Sequence, residues 1–293
     1  MRDFTNKVAV ITGGASGVGR SLAFSLGRRG ARVVIGDVDR DAMASALADL
    51  QAEGIDARAE FCDVTSIESL EAVASTAQSE FGGIHLVFAN AGISAGESGA
   101  MWDYSDKDWQ WTLNVNLWGV INSIKVFMPK LVAQGEEAHF AITGSGNGAF
   151  VVLPDQPIYT ATKAAIQTIT ENLHHQVTAG GLPIKVSALF PGPHVVETGL
   201  FNSGRVRPED LQKEGGTENA TGINSVDDMK KMAAEFGIEL KSTHPDEVAE
   251  MAVEGIEQDA FWLLRTTEET DDKIRNRARM ILERETPVPA MVG

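Results

Sequence analysis

The chain has 293 residues, of which 43% are hydrophobic and 23% are charged, a composition typical of a globular protein and unlike that of a disordered or collagen-like chain. Its 25 Lys and Arg residues and 41 Asp and Glu residues give a formal net charge of −16. Because this charge repels nucleic-acid phosphates and anionic lipids, we expect neither nucleic acid nor a membrane as a partner. One cysteine, Cys62, and the lack of a long apolar or signal-like stretch lead us to expect a mature cytoplasmic protein.

Six short, continuously apolar runs alternate with segments of helical periodicity. Apolar residues three and four apart predict helices, as at Ile67, Leu70, Val73 and Ala77. Continuous runs are typical of strands that are buried on both faces. Alternating strands and helices require right-handed crossovers, so we predict an α/β fold with a doubly wound parallel sheet and helices on both faces. The predicted strands cover residues 8–11, 33–35, 86–89, 140–142, 186–190 and 261–264.

The pattern loosens after Phe190, at the end of the predicted strand of residues 186–190. Pro191-Gly192-Pro193 end that strand, and a stretch rich in Gly, Asn, Thr and charged residues precedes Pro245, which begins another helix. Because such sheets bind ligands beyond the carboxyl ends of their strands, we predict that residues 199–243 form a substrate lid. The alternative is a disordered surface insertion. We expect a single domain of residues 1–293, with its core at residues 5–198 and 244–265 and a helical tail at residues 266–293.

A glycine-rich segment joins the first predicted strand to the first helix. Within Thr12-Gly13-Gly14-Ala15-Ser16-Gly17-Val18-Gly19, the glycines let the backbone approach a pyrophosphate, and the following helix supplies free N–H groups. This pattern indicates a dinucleotide site, although a tight turn without a ligand uses the same glycines. Asp37 follows the second predicted strand, where a carboxylate accepts hydrogen bonds from both ribose hydroxyls. Since this charge repels a 2′-phosphate and neither Ser16 nor Val38 is basic, we predict NAD rather than NADP as the cofactor.

Tyr159 and Lys163 lie four residues apart at the start of a predicted helix and therefore share a face. Free tyrosine titrates near 10, so moving its pKa to about 7 requires about 4 kcal/mol. One cation at about 4 Å supplies that amount at an effective dielectric of 20. The pair is a candidate proton-transfer site, although a Tyr and a Lys at this spacing more often form an ordinary helix pair.

Several motifs in the same chain resemble those of the short-chain dehydrogenase/reductase family. The glycine turn is followed, in the family's order, by Asn90-Ala91-Gly92, Asn116, Ser145 and the Tyr-x-x-x-Lys of residues 159–163. The resemblance covers residues 5–198. It implies a Rossmann-fold oxidoreductase that transfers a hydride between NAD and the CH–OH carbon of a secondary alcohol, or the corresponding ketone.

The resemblance implies a role for each matching residue. Tyr159 is the general acid/base, and Lys163 lowers its pKa and holds the nicotinamide ribose. Ser145 orients the substrate oxygen, and Asn116 holds a water that links Lys163 to solvent. No metal is required, and the histidines show no ligand spacing. The implied cofactor contacts are Thr12, Gly13, Ser16, Gly17, Val18, Gly19, Asp37, Asp63, Val64, Asn90, Ala91, Gly92, Tyr159, Lys163, Pro191, Gly192 and Thr198.

The sequence departs from the family pattern around the expected substrate. Ser145 lies one residue further from Tyr159 than is usual, and Thr198 lies two residues further from Pro191 than its counterpart. We expect a pocket bounded by Ser94, Ala95, residues 146–153 and 193–195 and the predicted lid. An apolar or aromatic alcohol or ketone suits it, and the tail resembles that of bacterial dehydrogenases acting on benzylic alcohols. Arg205 and Arg207 could meet an acidic substrate group, but solvated arginines are commoner.

Two other interpretations stay open. A dinucleotide-binding module without turnover fits the fold, although it has no need of the four catalytic candidates together. A family enzyme that uses the same tyrosine for dehydration or epimerisation fits the motifs, and net cofactor reduction would distinguish it. The helices near residues 109–118 and 164–173 lead us to expect a homodimer or homotetramer, although an apolar stripe serves an intrachain core equally well.

Overall fold

The computed structural model describes residues 1–96, 99–213 and 222–289. Its strands are short and, for the most part, fully buried, as the apolar runs predict. In chain order they are β1 (Val8–Thr12), β2 (Arg32–Asp37), β3 (Ala57–Phe61), β4 (Leu86–Ala89), β5 (Ala138–Thr143), β6 (Ile184–Phe190), β7 (Val195–Val196), β8 (Ser242–Thr243) and β9 (Trp262–Leu264).

Seven of these strands form one parallel sheet in the order β3-β2-β1-β4-β5-β6-β9. The predicted doubly wound α/β fold is confirmed, and each of the six predicted runs contributes a strand. The sequence pattern missed β3 because Arg58 and Glu60 interrupt its apolar residues, and most of this edge strand is only half-buried. The strand order reverses between β1 and β4, which places a crevice at their carboxyl ends.

Helices alternate with the strands along the chain. The longest, α7, begins with Pro157 at its first position, where a missing N–H carries no penalty. The described helices are α1 (Gly17–Arg28), α2 (Arg40–Ala52), α3 (Ile67–Phe81), α4 (Asp106–Thr112), α5 (Gly119–Gln134), α6 (Gly146–Ala149), α7 (Pro157–Ala179), α8 (Val226–Glu235), α9 (Pro245–Glu257) and α10 (Glu268–Glu283), with a π-helix at Leu113–Trp118 and 3-10 turns at Met101–Asp103, Gly199–Val206 and Glu209–Leu211.

Two apolar clusters lie on opposite faces of the sheet. Ala9 and Ile11 of β1 pack with α1, α2 and α9, whereas Val8 and Val10 pack with α3, α5 and α7. Successive strand residues point to opposite faces, so a strand covered on both sides must be apolar at every position. This is why the strands read as continuous apolar runs.

The predicted lid begins shortly after β7 and ends with β8, and these two strands pair with each other. Its described parts are the two 3-10 turns at Gly199–Val206 and Glu209–Leu211, followed by α8. Residues 214–221 of the predicted lid and residues 290–293 of the predicted tail lie outside the described residues. Among the described helices, none is both long and apolar enough to cross a membrane.

Candidate active site

A cavity of about 280 Å³ opens at the carboxyl ends of β1, β2, β4 and β5. It brings together most of the residues that the sequence singled out. Four predicted residues, Thr12, Gly19, Asn116 and Gly192, do not line the cavity. The predicted residues that do line it are Gly13, Ser16, Gly17, Val18, Asp37, Asp63, Val64, Asn90, Ala91, Gly92, Ser145, Tyr159, Lys163, Pro191 and Thr198.

The glycine turn is packed tightly against the end of β4. The Oγ1 of Thr12 accepts hydrogen bonds from the backbone N–H groups of Asn90 (3.0 Å) and Ala91 (3.2 Å). Gly13 has a positive φ of 63°, and a Cβ there would lie 2.9 Å from the Cα of Ala91. A Cβ on Gly19 would overlap the carbonyl oxygen of Gly13. Thr12 and Gly19 therefore shape the turn from behind the cavity wall.

The first turn of α1 is available to an anion. The Ser16 side chain makes no capping hydrogen bond, and no acidic residue stands in the first helical turn. Free N–H groups and the partial positive charge of a helix N-terminus suit a pyrophosphate. Thr198 faces this turn, since a Cβ on Gly17 would lie 2.9 Å from the Cγ2 of Thr198. The longer loop after Pro191 thus still carries Thr198 to the glycine turn.

Asp37 stands at the end of β2, as expected for a group that binds ribose. Its two carboxylate oxygens accept hydrogen bonds from the N–H groups of Ala15 and Asp39, each at 3.1 Å. These bonds fix the carboxylate beside the glycine turn. Asp63 and Val64 line the same end of the cavity. The glycine turn, the Asp37 carboxylate and this side wall fit a dinucleotide.

Asn90 connects the glycine turn to the other end of the cavity. Its Nδ2 donates to the carbonyl oxygens of Thr12 (3.1 Å) and Gly13 (3.3 Å), and its Oδ1 accepts from the Thr143 hydroxyl at 3.0 Å. The Thr143 carbonyl in turn accepts from the Nζ of Lys163, also at 3.0 Å. One chain of hydrogen bonds thus links the dinucleotide turn to Lys163.

Tyr159 and Lys163 lie side by side on the first turns of α7. Their exposed fractions are 8% and 4%, and the Nζ of Lys163 lies 5.6 Å from the centre of the Tyr159 ring. Burial lowers the pKa of Lys163 to about 8, so the ammonium form still dominates at pH 7. A positive charge about 6 Å from a phenolate oxygen, at an effective dielectric of 20, stabilises the phenolate by about 3 kcal/mol.

Ser145 begins the segment that packs on α7 beside the tyrosine. Its Oγ accepts from the N–H of Asn147 at 3.2 Å, and the Oδ1 of Asn147 accepts from the Thr160 hydroxyl at 2.8 Å. Gly148 has a φ of 98°, and a Cβ there would lie 2.6 Å from the Thr160 carbonyl oxygen. This close packing holds Ser145 at the cavity wall next to Tyr159.

Asn116 lies in the π-helix and is completely buried. Its Oδ1 accepts from the N–H of Ile93 at 2.8 Å, and its Nδ2 donates to the Ile93 carbonyl at 2.9 Å. A Cβ on Gly92 would lie 3.5 Å from both the Asn116 Oδ1 and the Lys163 Nζ. Asn116 thus fixes the loop after β4 close to Lys163, and its part in a water relay stays a prediction.

Residues 199–213, which we term the strap, cover the cavity. Arg207 of the strap is buried, whereas the sequence favoured a solvated arginine. Its Nη1 lies 2.9 Å from the Oδ1 of Asp108, with side-chain exposures of 2% and 8%, and its guanidinium stacks 4.9 Å from the Trp111 ring centre. The Ser203 hydroxyl accepts from the N–H of Ser94 at 3.2 Å. These contacts dock the strap on α4 and on the loop after β4.

The outer wall of the cavity differs from the expected pocket. Ser94, Ala95 and residues 146–153 and 193–195 do not line it. The predicted lid does line it, through Gly199, Leu200, Ser203, Arg205, Val206, Pro208 and Leu211. Outside the lid, the sequence analysis missed four residues of this wall, although Trp111 and Val115 lie four apart on one helical face just before Asn116 and carried a readable signal. These four residues are Ile93, Trp111, Asn114 and Val115.

Among residues 1–96, 99–213 and 222–289, no three His, Cys, Asp or Glu side chains come together as a metal site would require. Cys62 lines the cavity, and burial raises the pKa of its thiol to about 12. The thiol is therefore protonated and a poor nucleophile at neutral pH.

Comparison with known proteins gives a family match and relatives of similar length. The family model for short chain dehydrogenases matches residues 7–206. A C alpha-dehydrogenase of Sphingobium sp. is 30% identical over 265 residues, which make up 90% of this chain and 82% of the relative. A crystal structure of a short chain dehydrogenase/reductase from Burkholderia phymatum in complex with NAD is 32% identical, has a TM-score of 0.88 and overlaps all of both chains.

Proposed function

Because the chain belongs to the short chain dehydrogenase family, we propose that it is an NAD-dependent dehydrogenase that oxidises a secondary alcohol to a ketone, or catalyses the reverse reduction. The observation that carries this proposal is the Tyr159–Lys163 pair, buried in the cavity that also contains the glycine turn and Asp37. A site that only binds a dinucleotide has no need of a buried phenol beside a buried ammonium.

NAD, when bound, supplies the hydride acceptor for the alcohol carbon. Tyr159 takes the proton of the alcohol hydroxyl, and the charge of Lys163 stabilises the phenolate that accepts it. Ser145 donates a hydrogen bond to the same substrate oxygen from the cavity wall. In the reducing direction Tyr159 returns the proton to the carbonyl oxygen.

The preference for NAD rests on Asp37. Its carboxylate is held in place by the N–H groups of Ala15 and Asp39, so it cannot easily turn away from a ligand. A 2′-phosphate at this position would meet that negative charge in a partly buried site. The structural relative from Burkholderia phymatum, which is in complex with NAD, supports the same choice.

An apolar or aromatic alcohol is the substrate class that the cavity favours. Trp111, Ile93, Val115 and Leu211 provide an apolar wall. The Sphingobium relative is a C alpha-dehydrogenase, which is consistent with a benzylic alcohol as substrate. The two ends of the cavity would then hold the adenosine and the aromatic portion, with Tyr159 between them.

The test is NADH formation from a panel of secondary alcohols, benzylic ones included, with NAD and with NADP. We expect reduction of NAD by at least one benzylic alcohol and at least tenfold weaker activity with NADP. The variant Asp37→Ser should reduce the difference between the activities with NAD and with NADP. The proposal fails if NAD binds but no alcohol is oxidised and no matching ketone is reduced. Faster turnover with NADP would refute the role of Asp37.

A further inference from the structure

Arg205 of the strap lies in the cofactor end of the cavity, and nothing in the family resemblance assigns it a role. Its Nε is 3.4 Å from the Oδ2 of Asp39, 166 residues away in the chain. Its Nη1 donates to the carbonyl oxygens of Asn202 at 2.9 Å and Gly199 at 3.5 Å. The guanidinium is thus held by its own segment and reaches the residues that follow β2.

The position of Arg205 bridges the two halves of the dinucleotide site. On one side is Asp39, two residues beyond the ribose carboxylate Asp37 and bonded to it through its own N–H. On the other side is Gly199, adjacent to Thr198, which faces Gly17 in the glycine turn. Arg205, Asp37 and Gly17 line the same cavity, so a dinucleotide with its ribose at Asp37 and its pyrophosphate at Gly17 would occupy the space that the guanidinium borders.

In the described part of the chain, few side-chain cations line the cavity, and Arg205 is one of them. Of the described residues that line it, Asp37 and Asp63 are acidic, and Arg205 and Lys163 are the cations. Lys163 is committed to the Thr143 carbonyl at the catalytic end. A ligand with two phosphates entering a chain of net charge −16 therefore meets one side-chain cation at its pyrophosphate, in addition to the N-terminus of α1.

The guanidinium also retains donors for such a ligand. Its Nε and Nη1 make the contacts given above, and Nη2 has no acceptor among the described residues. Guanidinium groups bind phosphate oxygens through paired N–H donors, and such charge-assisted bonds are stronger than neutral ones. The geometry points to Arg205 as a binding residue for the pyrophosphate of the cofactor, placed there by the strap. This inference rests on the proposed dinucleotide site but not on turnover.

The experiment measures equilibrium binding of small probes by quenching of protein fluorescence, without a substrate. The probes are ADP, which carries the pyrophosphate, adenosine, which carries no phosphate, and 2′-AMP, which carries a phosphate at the ribose 2′ position. We expect Arg205→Gln to weaken the binding of ADP and NAD by about tenfold and to change the affinity for adenosine and 2′-AMP less than twofold. Arg205→Lys should keep part of the affinity for ADP. The control Arg28→Gln removes an exposed charge at the end of α1, and it should leave the affinity for every probe unchanged.

Asp39→Asn separates direct binding from a purely structural ion pair. If Arg205 binds the pyrophosphate, releasing it from Asp39 leaves ADP affinity unchanged or raises it. If Arg205 acts only by pairing with Asp39, Arg205→Gln and Asp39→Asn weaken ADP binding equally, and the inference is wrong. The inference would also be overturned if Arg205→Gln lost affinity equally for ADP and adenosine, or lost affinity for 2′-AMP alone. If wild-type protein binds neither NAD nor ADP, the dinucleotide site itself fails, which is a distinct result.

Discussion

The buried pair of Asp108 and Arg207 makes docking of the strap sensitive to one carboxylate oxygen. The Oδ1 of Asp108 faces Arg207, whereas its Oδ2 completes the capping box of α4 by accepting from the Ser105 N–H at 3.3 Å, and it also accepts from the Ser105 hydroxyl at 2.8 Å. Asp108→Asn can keep an oxygen at the cap and removes the negative charge from Arg207. At 2.9 Å and an effective dielectric of 20, the lost attraction is about 6 kcal/mol before the solvation of the freed groups is counted.

The net loss is smaller, because breaking a buried ion pair typically costs about 3–5 kcal/mol. The strap can avoid that cost by leaving the surface and returning Arg207 to water. We therefore expect local opening rather than global unfolding. Amide hydrogen exchange in peptides from residues 199–213 should accelerate at least about a hundredfold, or roughly 3 kcal/mol, while peptides from β1 and α1 keep the wild-type rate.

Two further variants sharpen this experiment. Asp210→Asn makes the same chemical change at an exposed carboxylate of the strap, and it should leave exchange unchanged. The double variant Asp108→Asn/Arg207→Met removes the unpaired charge and should restore much of the protection. Wild-type exchange in Asp108→Asn, or equal acceleration in Asp210→Asn, would refute the assignment of strap docking to this pair.

Three further changes test separate parts of the structure. Gly19→Ala should weaken NAD binding at least tenfold in a fluorescence titration, because its Cβ would overlap the Gly13 carbonyl; unchanged affinity would contradict the tight turn. His139 is neutral in the fold, where burial lowers its pKa to about 3, so stability falls as pH drops from 6.5 towards 3 while the unfolded chain gains the proton. In urea titrations at several pH values, His139→Gln should reduce the slope of unfolding free energy against pH by about 1.4 kcal/mol per pH unit. An unchanged slope would contradict the burial of a neutral His139. Arg277→Gln removes hydrogen bonds to two carbonyls of α6, so it should raise the KM for alcohol severalfold and leave NAD affinity unchanged. The exposed control Arg275→Gln should change neither the KM nor the NAD affinity. The same KM in both variants would contradict the view that Arg277 supports the substrate site through α6.

The sheet could be predicted because its physics is local. Residues such as Val8 to Ile11 are apolar at every position, since both faces of their strand are covered. The edge strand β3 escaped prediction for the complementary reason, because Arg58 and Glu60 remain half-exposed there. The glycine turn and the Tyr159–Lys163 pair were also readable, since their spacing along the chain is itself the signal.

The strap lies within the predicted lid, but its conformation could not be predicted, because it depends on contacts between distant residues. Arg207 is buried only because Asp108 and Trp111, about a hundred positions earlier, meet it on α4. Arg205 enters the cofactor end of the cavity through a contact with Asp39, 166 residues away. Nothing in the local sequence distinguishes these two arginines from solvated ones, and so their contacts could not be predicted although the lid that carries them was.

The central claim is that Tyr159 transfers the proton in an NAD-linked alcohol oxidation. Its most direct test compares wild type and Tyr159→Phe for both NAD affinity and the rate of NADH formation from the most active alcohol of the panel. We predict that the variant binds NAD within twofold of wild type and loses at least about a hundredfold in kcat, the usual contribution of a positioned acid/base. Turnover above a tenth of the wild-type rate, with NAD affinity unchanged, would contradict the claim.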